Sequence, residues 1–70
     1  MNSGEFEMSD ETFISENAAL HILMGQGDFT HSQARIVLAH SRKQGMGGAI
    51  YYPMAYIYMR ADANIGRQED

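Results

Sequence analysis

The side chains best suited to recognition chemistry stand in one stretch, Thr30-His31-Ser32-Gln33-Ala34-Arg35, followed by Arg42-Lys43. Hydroxyls, an imidazole, an amide and a guanidinium packed this closely can donate and accept hydrogen bonds in several geometries. Arg35 carries the planar fork that fits two adjacent acceptors, such as the O6 and N7 edge of a guanine. Ser32 or Gln33 could read a neighbouring base, and Thr30 and His31 could donate to a nucleic acid at a helix start. Arg42 and Lys43 suit phosphates, which set register without reporting sequence. The bland alternative is a solvated basic face on an amphipathic helix, and the residue types alone do not separate the two.

Other chemistries find little support. A zinc site needs three or four converging ligands, yet the chain has no cysteine and only His21, His31 and His40. His31 and His40 lie about half a turn out of phase on one helix, so they cannot share a metal within the chain. Gly25, Gly27, Gly45, Gly47 and Gly48 form no phosphate-loop or dinucleotide pattern and read as turn residues. Asp10 and Glu11 are adjacent carboxylates in an acidic leader, a poor setting for acid–base work. No catalytic residue, metal or cofactor is therefore expected, and the chain reads as a non-enzyme. Tyr51, Tyr52, Tyr56 and Tyr58 form a dense aromatic group. Core packing, a protein interface and base stacking all use such groups; stacking platforms are usually interleaved with cations, and here only Arg60 is near.

Local signals indicate the elements that must position these residues. Ser15 is a helix N-cap, with Glu16 in the first turn and Ala18, Ala19, Leu20, Ile22, Leu23 and Met24 after it. Gly25-Gln26-Gly27-Asp28 should end that helix. Thr30 with Gln33 forms a capping-box pattern, and Ala34, Val37, Leu38 and Ser41 recur on one face, predicting a helix over 31–44 closed by Gly45. On that helix Ser32, Arg35, Ala39 and Arg42 fall away from the apolar stripe. A glycine turn at 45–48 leads to Ala49-Ile50-Tyr51-Tyr52, which reads as a strand. Pro53 then opens a helix over 53–63 burying Met54, Ile57, Tyr58 and Ala61, with Gly66 past its end. A continued strand, with Tyr52, Met54, Tyr56 and Tyr58 on one face, is the competing reading.

Seventy residues accommodate one small domain, placed at 13–64. Residues 1–12 read as a disordered acidic start and 65–70 as a flexible tail. Met8 could be a natural start, and residues 1–7 read as a stretch added in cloning, since Glu5-Phe6 is a pair a cloning site can encode. No apolar run is long enough for a membrane span, so a cytoplasmic protein with no membrane partner and no small-molecule substrate is expected. The net charge is −4, unevenly spread. Residues 1–16 carry five carboxylates and no Lys or Arg, whereas 17–60 hold Arg35, Arg42, Lys43 and Arg60 against Asp28 alone. A basic middle lies between acidic ends, and only the middle suits a polyanion.

From Phe13 to Asn64 the chain resembles the small winged helix-turn-helix of the MerR/excisionase-like superfamily. Phe13-Ile14-Ser15-Glu16-Asn17-Ala18-Ala19-Leu20-His21-Ile22-Leu23 is similar to that family's opening helix, with its Ala-Ala pair and following Leu. Thr30 to Arg35 resembles the start of the recognition helix, and Gly45 falls where that helix gives way to the wing. Tyr51-Tyr52-Pro53-Met54-Ala55 looks like the passage from wing strand into the last helix. Two departures stand out: no Lys or Arg lies between Met46 and Met59, and the whole chain is acidic. The resemblance implies a mainly α fold with a small β wing, three short helices and a short strand or hairpin. It further implies a phage or plasmid protein that binds double-stranded DNA through helix 31–44, as a recombination directionality factor or transcriptional regulator. An integrase or another DNA-bound copy of the chain would then be its partner. The reading from a different class is a protein-interaction module or inhibitor that engages a host protein through its Tyr- and Met-rich surface.

Overall fold

The computed structural model describes residues 11–68, along which six elements follow one another. Strand β1 (Phe13–Ser15) runs straight into helix α1 (Glu16–Gly25), and a tight turn leads to helix α2 (His31–His40). Strands β2 (Gln44–Met46) and β3 (Ala49–Pro53) form a hairpin, and β3 passes without a loop into helix α3 (Met54–Gln68). The fold is mixed α/β: three helices with one antiparallel sheet of order β1-β3-β2.

The first two helices begin where their side chains satisfy the first backbone N–H groups. Ser15 Oγ accepts from the Ala18 N–H at 3.2 Å. Thr30 Oγ1 accepts from the Gln33 N–H at 3.1 Å while Gln33 Oε1 accepts from the Thr30 N–H at 3.2 Å, a complete capping box. The α1–α2 turn is held by the Gln26 N–H on Ile22 O and the Phe29 N–H on Leu23 O. Asp28 takes a φ of 59° there, a left-handed conformation that Asp tolerates better than most residues.

Helix α1 lies between α2 and α3. The core joins Ala19 and Leu23 of α1 to Ala34, Val37 and Leu38 of α2, Tyr52 of β3, and Ile57 and Ala61 of α3. Gly27 is buried at the closest approach of the turn to α3. A Cβ at that position would stand 2.7 Å from Leu23 O and 2.9 Å from Ala61 Cα, so only glycine lets the helices come this near. Two glycines in a row of four end α1 as expected, but Gly27 is there for packing.

Several expected boundaries are corrected. Helix α2 stops at His40 and not at 44. Ser41 turns extended at φ −86°, ψ 153°, because the chain must reach β3: Gln44 pairs with Tyr51, Gly45 with Ile50 and Met46 with Ala49. Gly45 is consequently a strand residue and not a helix cap. The turn shrinks to Gly47-Gly48, both at positive φ (58° and 85°), matching the two-residue hairpin loop that follows the sheet's natural twist. Strand β1 carries too few residues to show a periodicity; it exists because β3 offers it a partner, with Phe13 opposite Pro53, Ile14 opposite Tyr52 and Ser15 opposite Tyr51.

The segment after Tyr52 is a helix, as preferred over a continued strand. Pro53 is the last residue of β3, and α3 begins at Met54, whose N–H donates to Thr12 O at 2.9 Å. The helix continues to Gln68, through Gly66 and into the stretch expected as a tail. Ile57 and Ala61 are fully buried and Met54 half-buried, but Tyr58 faces solvent. Asn64 takes the next place on the inner face, its Nδ2 donating to Gly27 O at 2.7 Å. Residues 1–10, including the stretch attributed to cloning, lie outside the described residues, as do 69 and 70. Glu11 and Thr12, expected in the disordered start, both make contacts in the folded domain. No helix among the described residues is long and apolar enough to cross a membrane.

Candidate functional site

Helix α2 buries Ala34, Val37 and Leu38 and leaves His31, Ser32, Gln33, Arg35, Ile36, Ala39 and His40 exposed. The exposed side is continuous along the helix, and its first turn contains no acidic residue, so the positive end of the helix dipole is not offset there. Thr30 and Gln33, expected to contact a nucleic acid, engage one another in the capping box. Their side chains therefore fix where α2 starts, and His31 and Ser32 are the outward groups of that turn.

Arg35 lies mid-helix and reaches back to α1, its Nη1 donating to Glu16 Oε2 at 3.0 Å. Arg35 is 58% exposed and Glu16 42% exposed, so the pair is wet and contributes at most about 1 kcal/mol to stability. Tyr52 of β3 is buried in the core. Burial pushes the Tyr52 hydroxyl above its ordinary pKa, the Glu16 charge adds to that, and the Arg35 charge opposes it.

Arg42 and Lys43 are not on the helix. The expected row Ser32, Arg35, Ala39, Arg42 breaks after Ala39, because α2 ends first. Arg42 stands between α2 and β2, its Nη2 paired with Glu11 Oε2 and its guanidinium 5.8 Å from the centroid of the Phe13 ring. Lys43 Nζ donates to Ala39 O at 3.3 Å and Ser41 O at 3.0 Å, satisfying carbonyls that the end of α2 leaves open. Glu11, Phe13, Arg42, Lys43 and Gln44 line an open cleft of about 550 Å³. The candidate residues thus divide into an exposed helical face and a separate cationic step just beyond it.

Sequence reasoning missed three participants. Ile36 is 58% exposed, the most exposed large apolar residue among those described, and it neighbours Arg35 on the open face. Its phase was readable, since position 36 falls outside the Ala34/Val37/Leu38/Ser41 stripe. Glu11 and Glu16 carry no such signal, because each meets its arginine across a long stretch of chain.

His21, His31 and His40 are all exposed. Among the described residues no group of three or more His, Cys, Asp or Glu is arranged to hold a metal ion. Tyr52 belongs to the core, Tyr51 and Tyr56 are half-buried, and Tyr58 is exposed. Arg60 Nη1 donates to the Tyr56 hydroxyl at 3.1 Å, pairing the nearest cation with a tyrosine of its own helix. No family model matches the sequence, and comparisons with curated proteins and with solved structures find no match.

Proposed function

We propose that the chain is a small sequence-specific protein of the winged helix-turn-helix kind that binds double-stranded DNA, with α2 as the reading helix and the β2–β3 hairpin as the wing. The observation that carries this reading is the open face of α2. A helix, a tight turn and a second helix are braced by a sheet, and the second helix presents Ser32, Arg35 and Ile36 outward with no carboxylate in its first turn. The order strand, helix, helix, hairpin, helix also fits the excisionase-like resemblance. The helical form of 54–68, where an exposed edge of alternating tyrosines was the competing reading, favours it further.

In this reading α2 enters the major groove with its first two turns against base edges. Arg35 offers its remaining guanidinium donors to a guanine, and His31 or Ser32 meets a neighbouring base or phosphate. Arg42 and Lys43, beyond the end of α2, meet backbone phosphates and exchange their present partners for them. Thr30 and Gln33 act indirectly by setting the start of the helix. The tip of the wing carries no cation, so it contributes shape and backbone groups only. Two phosphate contacts, from Arg42 and Lys43, give a salt slope of about −1.8, which is a weak electrostatic term. Useful affinity then comes from cooperation with a neighbouring copy or a larger DNA-bound protein such as an integrase, the role of an excisionase-like accessory factor or regulator. The protein acts by binding, not catalysis.

The test is fluorescence anisotropy of random-sequence duplex at roughly 50 and 200 mM salt, with an Arg35/Arg42/Lys43 triple alanine variant beside the parent. Binding that weakens with salt and is lost in the variant supports the reading; no binding at low salt, and no duplex enriched by site selection, overturns it. The second reading, a protein-interaction module, draws on the exposure of Met24, Met46, Ile50 and Met59. It is favoured if DNA binding fails while substitution of those residues by serine abolishes capture of a host protein.

A further inference from the structure

We propose that Glu16 is a positioning residue that aims Arg35, making base discrimination depend on a carboxylate carried by the other helix. This inference rests on the DNA-binding reading above. Three observations support it. Among the described residues Arg35 donates only through Nη1, to Glu16 Oε2 at 3.0 Å, so the rest of the guanidinium fork remains available. Glu16 itself is anchored, being the first residue of α1, directly after the Ser15 cap and at the point where β1 becomes helix. The third is the packing of α1 against both α2 and β3, which sets the contact where three elements meet.

An arginine on an exposed helix face ordinarily samples many rotamers, and ordering it on binding weakens the contact. Holding one nitrogen in place removes part of that loss before the base arrives, and it also restricts where the second nitrogen can point. A carboxylate near DNA should simply repel phosphate if it has no such role. The two effects act oppositely on different quantities. Loss of the Glu16 charge raises affinity for any duplex, whereas loss of aim lowers the preference for the correct base.

The experiment separates them. A duplex is selected from a random pool with the parent protein, and each of its guanines is replaced in turn by 7-deazaguanine, which lacks only the N7 acceptor. The parent should lose about fivefold in affinity at one guanine, and Arg35→Ala should lose that sensitivity. Glu16→Gln keeps the length and helix position of the side chain. It should bind random-sequence duplex as tightly as the parent or up to about threefold tighter, yet discriminate at that guanine at least threefold less. Asp62→Asn, which removes a charge from the exposed side of α3, should leave discrimination unchanged. If Glu16→Gln strengthens selected and random duplexes equally, with full sensitivity to 7-deazaguanine, Glu16 is a counter-ion and the proposal is overturned. If the parent selects no duplex, the DNA-binding reading itself fails and takes the proposal with it.

Discussion

Replacing Gly27 by alanine should weaken the domain more than any other single methyl addition at a described glycine. The new Cβ would lie 2.7 Å from Leu23 O, 2.9 Å from Ala61 Cα and 3.0 Å from Ala61 Cβ. Leu23 O and Ala61 Cα are backbone atoms, and neither can swing aside as a long side chain would. Leu23 and Ala61 are both fully buried, so the clash forces α1 and α3 apart along the main core contact. Overpacking of this kind costs about 1–3 kcal/mol, and backbone obstruction on two sides points to the upper half of that range. Movement of α3 would also stretch the 2.7 Å bond from Asn64 Nδ2 to Gly27 O. For a domain of this size a loss of about 2–3 kcal/mol lowers Tm by roughly 10–20 °C. Gly25→Ala supplies the contrast. Gly25 closes α1 with nothing within 4 Å of its would-be Cβ, so alanine should stabilise by about 0.5–1 kcal/mol. Thermal melts followed by far-UV circular dichroism would measure both variants. A Gly27→Ala protein melting within a few degrees of the parent would refute the packing argument, as would equal effects at the two glycines.

Thr30→Ala removes the cap of α2 and leaves the Gln33 N–H without its acceptor; denaturant titration should show a loss of about 1 kcal/mol, largely restored by Thr30→Ser. Arg35→Ala should change stability by less than about 1 kcal/mol, since its ion pair is mostly solvated, while costing about 1–3 kcal/mol of binding at a selected duplex. A large stability loss with unchanged binding would reverse that assignment. The Tyr52 hydroxyl ionises at higher pH in the folded state than its ordinary value of 10.0, so the folded protein holds this proton more tightly than the unfolded chain. The stability this confers is complete below pH 10.0 and is lost as pH rises through the folded pKa. Melts across that window should show a decline that is smaller in Tyr52→Phe, and identical slopes for the two proteins would contradict it.

Legibility from sequence followed the range of the interaction responsible. The start of α2 could be read because Thr30 and Gln33 act on each other three residues apart, and its inner face because Ala34, Val37 and Leu38 repeat within two turns. The end of α2 could not. Ser41 fits the apolar stripe, and nothing local announces that the following residues are required as partners for Tyr51 and Ile50. Strands β1 and β2 share that origin, each being three residues long and defined by β3. At the site, the exposed face of α2 was visible as a phase, and the identity of Arg35 as a donor was plain. What Arg35 and Arg42 touch was hidden, because Glu16 and Glu11 meet them across 19 and 31 residues of chain.

The central place of β3 has a kinetic consequence. Its pairing with β2 spans a two-residue loop and can form early, whereas its pairing with β1 must close the long segment that contains both α1 and α2. That late, entropically expensive closure clasps the helix pair at both ends. The β1–β3 amides should then exchange with solvent only when the whole domain opens, because freeing them releases α1 and the start of α3 together. The tip at Gly47-Gly48 has no such obligation. It can open and re-form on its own, so the hairpin is free to adjust its shape against a partner while the α1–α2 unit stays locked.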